Sequence, residues 1–259
     1  MNFKKSLSLN NLLILFLFLI FESCVSKKQV LLMQDLNEVD ISKVTLVQNT
    51  IQVNDILKID VTSLDAKASV PYNKTFSSGI GGASLDLIQL NGYLVAANKT
   101  ITFPILGEIS VSGKTISELE IDLKERLVSG GHLINPDVMV RLLNAKVTIL
   151  GEVNIPGTYT FTERNITLLQ AIGLAGDLTI DGNREDILII REFDGNRITK
   201  KIDLTSSSFL SSPYQNIRSN DVIIVNPNSK KIKSAGLIVN ISTMLSIASI
   251  LLSTIILIR

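Results

Sequence analysis

The chain has 259 residues, with 25 Lys+Arg against 24 Asp+Glu, one cysteine, one histidine and no tryptophan. So even a charge balance argues against a nucleic-acid partner. With His132 as the single histidine, imidazole catalysis and a transition-metal centre are also disfavoured.

Lys4 and Lys5 precede an unbroken apolar run at residues 12–21. That run is too short to cross a hydrocarbon core of ~30 Å as a helix, but it fits a signal-peptide h-region. Phe21-Glu22-Ser23-Cys24 reads as a lipoprotein cleavage and lipidation box, although Phe21 and Glu22 depart from the usual pattern. The expectation is a signal peptide over residues 1–23, with the Cys24 thiol taking up a diacylglycerol and anchoring the mature chain to membrane lipid. The alternative is a free cysteine behind an ordinary signal peptide. A lone cysteine has no intrachain disulfide to form, which favours the lipid. Residues 24–45 are polar and aperiodic, a tether.

The first strand signal lies at residues 50–61, where Leu57, Ile59 and Val61 alternate with Lys58 and Asp60 after an Asn54-Asp55 turn. Residues 66–91, rich in Ser, Gly and Asn, read as a flexible insertion. Their glycines lack a following Gly-Lys-Ser/Thr, so they do not make a phosphate-binding loop. Strand character resumes at Tyr93-Leu94-Val95 and residues 100–103, breaks at Pro104-Ile105-Leu106-Gly107, and returns at residues 108–111. Thr115 and Glu118 then form a capping box for a helix whose apolar face is Ile116, Leu119, Leu123 and Leu127. Gly130-Gly131 ends it, His132 falls in a solvated loop, and a strand follows at residues 138–143.

A second unit opens with a strand at residues 147–153 and a Pro156-Gly157 turn. It continues with a strand at residues 158–161 and a short helix at residues 167–175. Strands at residues 187–191 and 197–202 flank Asp194-Gly195, a type I′ hairpin signal. Asn220-Asp221 launches the last strand, residues 222–225, just as Asn54-Asp55 launches the first. Residues 228–236 form a basic link with Lys230, Lys231 and Lys233. Residues 237–258 carry no charge; at 1.5 Å per residue they are long enough to cross a bilayer. On that helix Ser242, Ser246, Ser249 and Ser253 share one face. The stripe either lines a water-filled lumen or lets helices pack closely. The fold class is therefore α+β: two small β-rich domains followed by a C-terminal transmembrane helix.

Three blocks in this order resemble the outer-membrane polysaccharide export lipoproteins, the Wza-like family. They are residues 51–59 with Asn54-Asp55 where the family usually has Gly-Asp, then Pro104-Ile105-Leu106-Gly107 with Gly113-Lys114-Thr115, then residues 147–153 with Pro156-Gly157-Thr158-Tyr159. Leu168-Leu169-Gln170-Ala171-Ile172 and Ala175-Gly176-Asp177 continue the last block. The resemblance implies an export domain over residues 46–145 and a soluble-ligand-binding β-grasp (SLBB-like) domain over residues 146–227, followed by the link and the membrane helix.

It further implies a ring-shaped homo-oligomer whose C-terminal helices form a pore. That pore would move capsular or extracellular polysaccharide from periplasm to cell surface, fed by an inner-membrane copolymerase or tyrosine-kinase-type partner. The location it implies is the bacterial outer membrane, with the body in the periplasm. No catalytic residue, metal or cofactor is implied. Glu108, Glu152, Asp177 and Asp186 show no spacing that singles out a glycosidase pair. The competing reading is a membrane-anchored glycan-binding or scaffold protein that forms no pore.

Overall fold

The computed structural model describes residues 31–36, 49–74, 89–193, 195–236, 245–250 and 253–254. Two buried apolar clusters organise the body. One draws on residues from Ile51 to Val140, and the other on residues from Val147 to Val225.

In the first domain β1 (Ile56–Thr62) is followed by a one-turn helix α1 (Ala66–Ser69), then β2 (Tyr93–Leu94), β3 (Thr100–Phe103) and β4 (Gly107–Ser110). Helix α2 (Ile116–Ser129) and strand β5 (Asp137–Leu142) complete it. β1 lies between β2 and β5, both antiparallel, while β3 and β4 form a separate hairpin. The alternation seen in β1 is the pleat itself: Leu57, Ile59 and Val61 are buried. The Thr115–Glu118 capping box is complete, and Leu119, Leu123 and Leu127 are fully buried.

The flexible insertion expected at residues 66–91 opens with ordered structure, and its residues 75–88 lie outside the described residues. Residues 66–72 are helical, and the Asn73 amide accepts from Val61 N–H and donates to Val61 C=O, both at 2.8 Å, pinning this segment to β1. An amide side chain presents a donor and an acceptor together, so it can stand in for a strand neighbour. His132 is half-buried rather than solvated, and packs edge-on against Tyr72 at 6.0 Å between ring centroids.

The second domain comprises β6 (Lys146–Gly151), β7 (Gly157–Thr160), β8 (Ile166–Thr167), α3 (Leu168–Leu174), β9 (Gly182–Phe193), β10 (Asn196–Ile202), β11 (Asn216–Ile217) and β12 (Val222–Pro227). Its main sheet has the order β10-β9-β12-β6-β7, with β12 parallel to β6 and antiparallel to β9. The strand expected to run to residue 153 stops at Gly151, whose φ is +90° and where a Cβ would lie 2.1 Å from the Val225 carbonyl oxygen. Only glycine allows that approach. The strand expected at residues 187–191 is the middle of the 12-residue β9.

Helix α4 (Ser229–Gly236) leaves the second domain where β12 ends. The tether returns to the same end. Met33 N–H donates to Leu204 C=O at 2.9 Å, Gln34 N–H donates to Thr205 C=O at 2.7 Å, and the Asp35 carboxylate accepts from Ser206 and Ser207. Those hydrogen bonds hold the Asp35 carboxyl below its usual range. Among the described residues no helix is long and apolar enough to cross a membrane. Most of the expected span at residues 237–258 lies outside the described residues.

Candidate functional site

The two Asn-Asp pairs make matching turns. Asn54 and Asn220 both have a φ of +69°, in the left-handed region. In each turn the aspartate N–H closes on a carbonyl three residues back, Gln52 for Asp55 and Arg218 for Asp221, both at 3.2 Å. In each, the carboxylate accepts the N–H of that same residue at 2.9 Å. Asparagine tolerates the left-handed conformation that glycine otherwise supplies, so Asn54 can stand where the family's glycine does.

The interdomain linker runs between the turns and touches both. The Asn144 amide accepts from Ile56 N–H at 2.9 Å and donates to Asn54 C=O at 2.8 Å, and Asn220 N–H donates to Lys146 C=O at 2.7 Å. The aspartates differ in their company. Asp221 pairs with Arg191, Nη2 to Oδ2 at 2.7 Å and Nε to Oδ1 at 2.9 Å, with both side chains buried. Asp55 is buried with no ion-pair partner among the described residues, and burial pushes its carboxyl up to about 6.

Beside these turns, between the domains, lies a cleft of about 620 Å³. Its first-domain wall includes Asn49, Gln52, Asp55, Met139 and Arg141, and its second-domain wall includes Phe161, Arg164, Asn165, Phe193 and Arg218. Arg164 latches the walls together, with Nη2 2.7 Å from Glu120 Oε1 and Nη1 3.3 Å from Ser117 Oγ. The Arg218 guanidinium lies over the Phe193 ring at 4.9 Å, and burial together with the nearby Arg191 charge pushes its pKa down. Arg141 and Arg218 have no ion-pair partner among the described residues. The Oδ1 atoms of Asn49 and Asn165 are buried with no hydrogen-bond partner among the described residues. The cleft thus offers two guanidinium groups outside any ion pair among the described residues, the hydroxyls of Thr162 and Ser219, and two aromatic rings.

The residues singled out from sequence lie elsewhere. Cys24 and Ser242 are outside the described residues. Ser246, Ser249 and Ser253 are helical and exposed. Ser249 Oγ donates to Ser246 C=O at 2.9 Å and Ser253 Oγ to Ser249 C=O at 2.8 Å, so two hydroxyl protons of the stripe go to their own helix. Among the carboxylates, Glu152 is held by Lys231 and Thr179, Asp186 by Lys201 and Asn226, and Asp177 accepts its neighbour's Leu178 N–H. Glu108 sits exposed on β4. The cleft was missed because its arginines are scattered from residue 141 to 218; the repeated Asn-Asp pair was the one local sign of it.

Residues 46–143 match the family described as polysaccharide biosynthesis/export protein, and residues 146–200 match the SLBB domain. The chain is 28% identical over 198 residues to the capsule polysaccharide export protein BexD of Haemophilus influenzae, covering 73% of this chain and 46% of that protein. It is 28% identical over 195 residues to the capsule polysaccharide export outer membrane protein CtrA of Neisseria meningitidis, covering 72% and 46%. To the EPS I polysaccharide export outer membrane protein EpsA of Ralstonia nicotianae it is 28% identical over 207 residues, covering 75% and 52%. The chain spans about half the length of the curated relatives it matches. With the export module and the SLBB domain in the order its motifs follow, the chain is a member of the Wza-like polysaccharide biosynthesis/export family.

Proposed function

We propose that this protein works in the bacterial outer membrane as the conduit of a polysaccharide export system, assembled as a ring, with its body in the periplasm. The observation that carries the reading is the tandem of export module and SLBB domain, shared with relatives named for capsule and exopolysaccharide export. It performs no bond chemistry: polymer made elsewhere is handed over by an inner-membrane copolymerase or kinase-type protein and passes outward.

The placement of the chain ends supports this orientation. The tether and α4 both leave from the far end of the second domain, opposite the cleft. With Cys24 lipidated, the seven residues from there to Leu31 reach at most ~25 Å. The second domain then faces the membrane and the first points into the periplasm. Residues 237–258 complete the assembly as membrane helices, with Ser242, Ser246, Ser249 and Ser253 toward the lumen.

A second reading, a membrane-anchored scaffold without a pore, draws on the serine hydroxyls that bond their own helix. Particle images of detergent-extracted full-length protein separate the two. Rings that disappear when residues 237–259 are deleted support the conduit; monomers across detergents support the scaffold. Cys24→Ser is expected to abolish lipid labelling, and wild-type protein without lipid would remove the anchor.

A further inference from the structure

We propose that the cleft between the domains is a binding site for acidic sugar residues, so that the polymer handled is a carboxylate-bearing glycan. This rests on the export reading for the choice of a glycan, but the chemistry is set by the cleft itself.

Arg141 and Arg218 stand on opposite walls, each without a carboxylate in ion-pair contact among the described residues. A guanidinium presents five donors in a planar fork that matches a carboxylate. The hydroxyls of Thr162 and Ser219 also line the cleft, and a ligand rich in hydroxyls can hydrogen-bond with them. The rings of Phe161 and Phe193 give such a ligand apolar surface for its C–H face. A carboxylate, several hydroxyls and an apolar ring face together describe a sugar acid. A neutral sugar leaves the arginines unanswered, and an acidic peptide lacks the row of hydroxyls.

The three acidic residues of the wall leave the two arginines unpaired: Asp55 is buried, its carboxylate accepting the Gln52 N–H of its own turn at 2.9 Å. Glu192 is paired with Arg197 at 2.6 Å, and Glu163 Oε2 accepts the Thr162 N–H at 3.0 Å on the exposed rim. Arg164 is already spent on Glu120, so it fixes the width of the site while Arg141 and Arg218 select the ligand.

The test is calorimetric titration of the full-length protein in detergent with oligogalacturonate, with maltohexaose as a neutral chain and hexaglutamate as an acidic peptide. Oligogalacturonate is expected to bind at least about tenfold more tightly than either. Arg218→Gln and Arg141→Gln are each expected to weaken it at least about tenfold, the loss of a charge-assisted hydrogen bond. Lys124→Gln, which removes one positive charge from exposed α2 outside the cleft, is expected to leave it unchanged. Arg141 is exposed, so its variant reports on the site even where Arg218→Gln unfolds.

Equal binding of hexaglutamate, equal binding of maltohexaose, or equal losses in Lys124→Gln and Arg141→Gln would overturn the proposal. So would no binding of oligogalacturonate. Surface polysaccharide restored by the wild-type gene in deleted cells tests the export reading separately: restored export with no acidic-sugar binding sinks the cleft and leaves the conduit.

Discussion

Asp221→Asn tests how much of the second domain's stability hangs on one buried ion pair. The substitution keeps an oxygen to accept Arg218 N–H, so the turn retains its closing bond. Arg191, 4% exposed, then meets only neutral groups: that same oxygen, the Asn216 carbonyl at 3.0 Å and the Tyr214 ring at 4.9 Å. Removing one partner of a buried pair typically costs about 3–5 kcal/mol, because the other charge stays desolvated. In a domain of this size each kcal/mol moves Tm by about 4–8 °C, so a drop of at least about 12 °C is expected. Because the chain has two domains, the informative assay is native-state hydrogen exchange at the amides of β9 and β12, read beside the melt.

Adding Arg191→Met to Asp221→Asn removes the stranded cation, and the double variant is expected to recover most of the loss. A single-variant cost below about 1 kcal/mol, or a double variant no better than the single, would refute the assignment of the loss to a stranded charge.

Asp55 is expected to behave in the opposite way. Its folded value, about 6, lies above its ordinary 3.8, so its neutral form favours folding and that contribution is lost as pH rises through 6. Asp55→Asn should therefore gain on wild type between about pH 4 and pH 7, by an amount on the order of 3 kcal/mol, measured by urea denaturation across pH. Gly151→Ala forces a Cβ to 2.1 Å from Val225 O at a φ of +90°, and is expected to destabilise the β6–β12 pairing by more than about 3 kcal/mol in the same assay. Asp35→Ala should free the tether from Ser206 and Ser207, seen as faster proteolysis around residues 31–36 with the melting of both domains unchanged.

Elements governed by local chemistry were legible in the chain. The Thr115–Glu118 box, the Leu119/Leu123/Leu127 face and the β1 alternation each depend on spacings of a few residues, and each appears where the spacing puts it. The helix expected at residues 167–175 is α3 with its Thr167 cap. What escaped depends on distant partners. β6 ends where Val225 closes on Gly151, β9 extends outward because β12 and β10 both pair with it, and Ile166 meets Ile217 across 50 intervening residues. Asn73 resembled loop composition until β1 gave its amide something to bind. The cleft has the same character, since its unpartnered groups come from segments that no sequence window contains.

The position of β12 sets an order of events for a chain that emerges N-terminus first. The first domain has all its strands once residue 142 is out. The second has no such early completion, because its last strand is the middle of its sheet, lying between β9 and β6. Until residues 222–227 arrive, β6–β7 and β9–β10 are two separate hairpins, each marginal alone in water. Ile149, Ile187 and Ile189, all fully buried in the finished domain, stay uncovered for that interval. The half-made domain is therefore a natural client for a holding chaperone during translocation, and a chain cut off at residue 200 would remain one indefinitely.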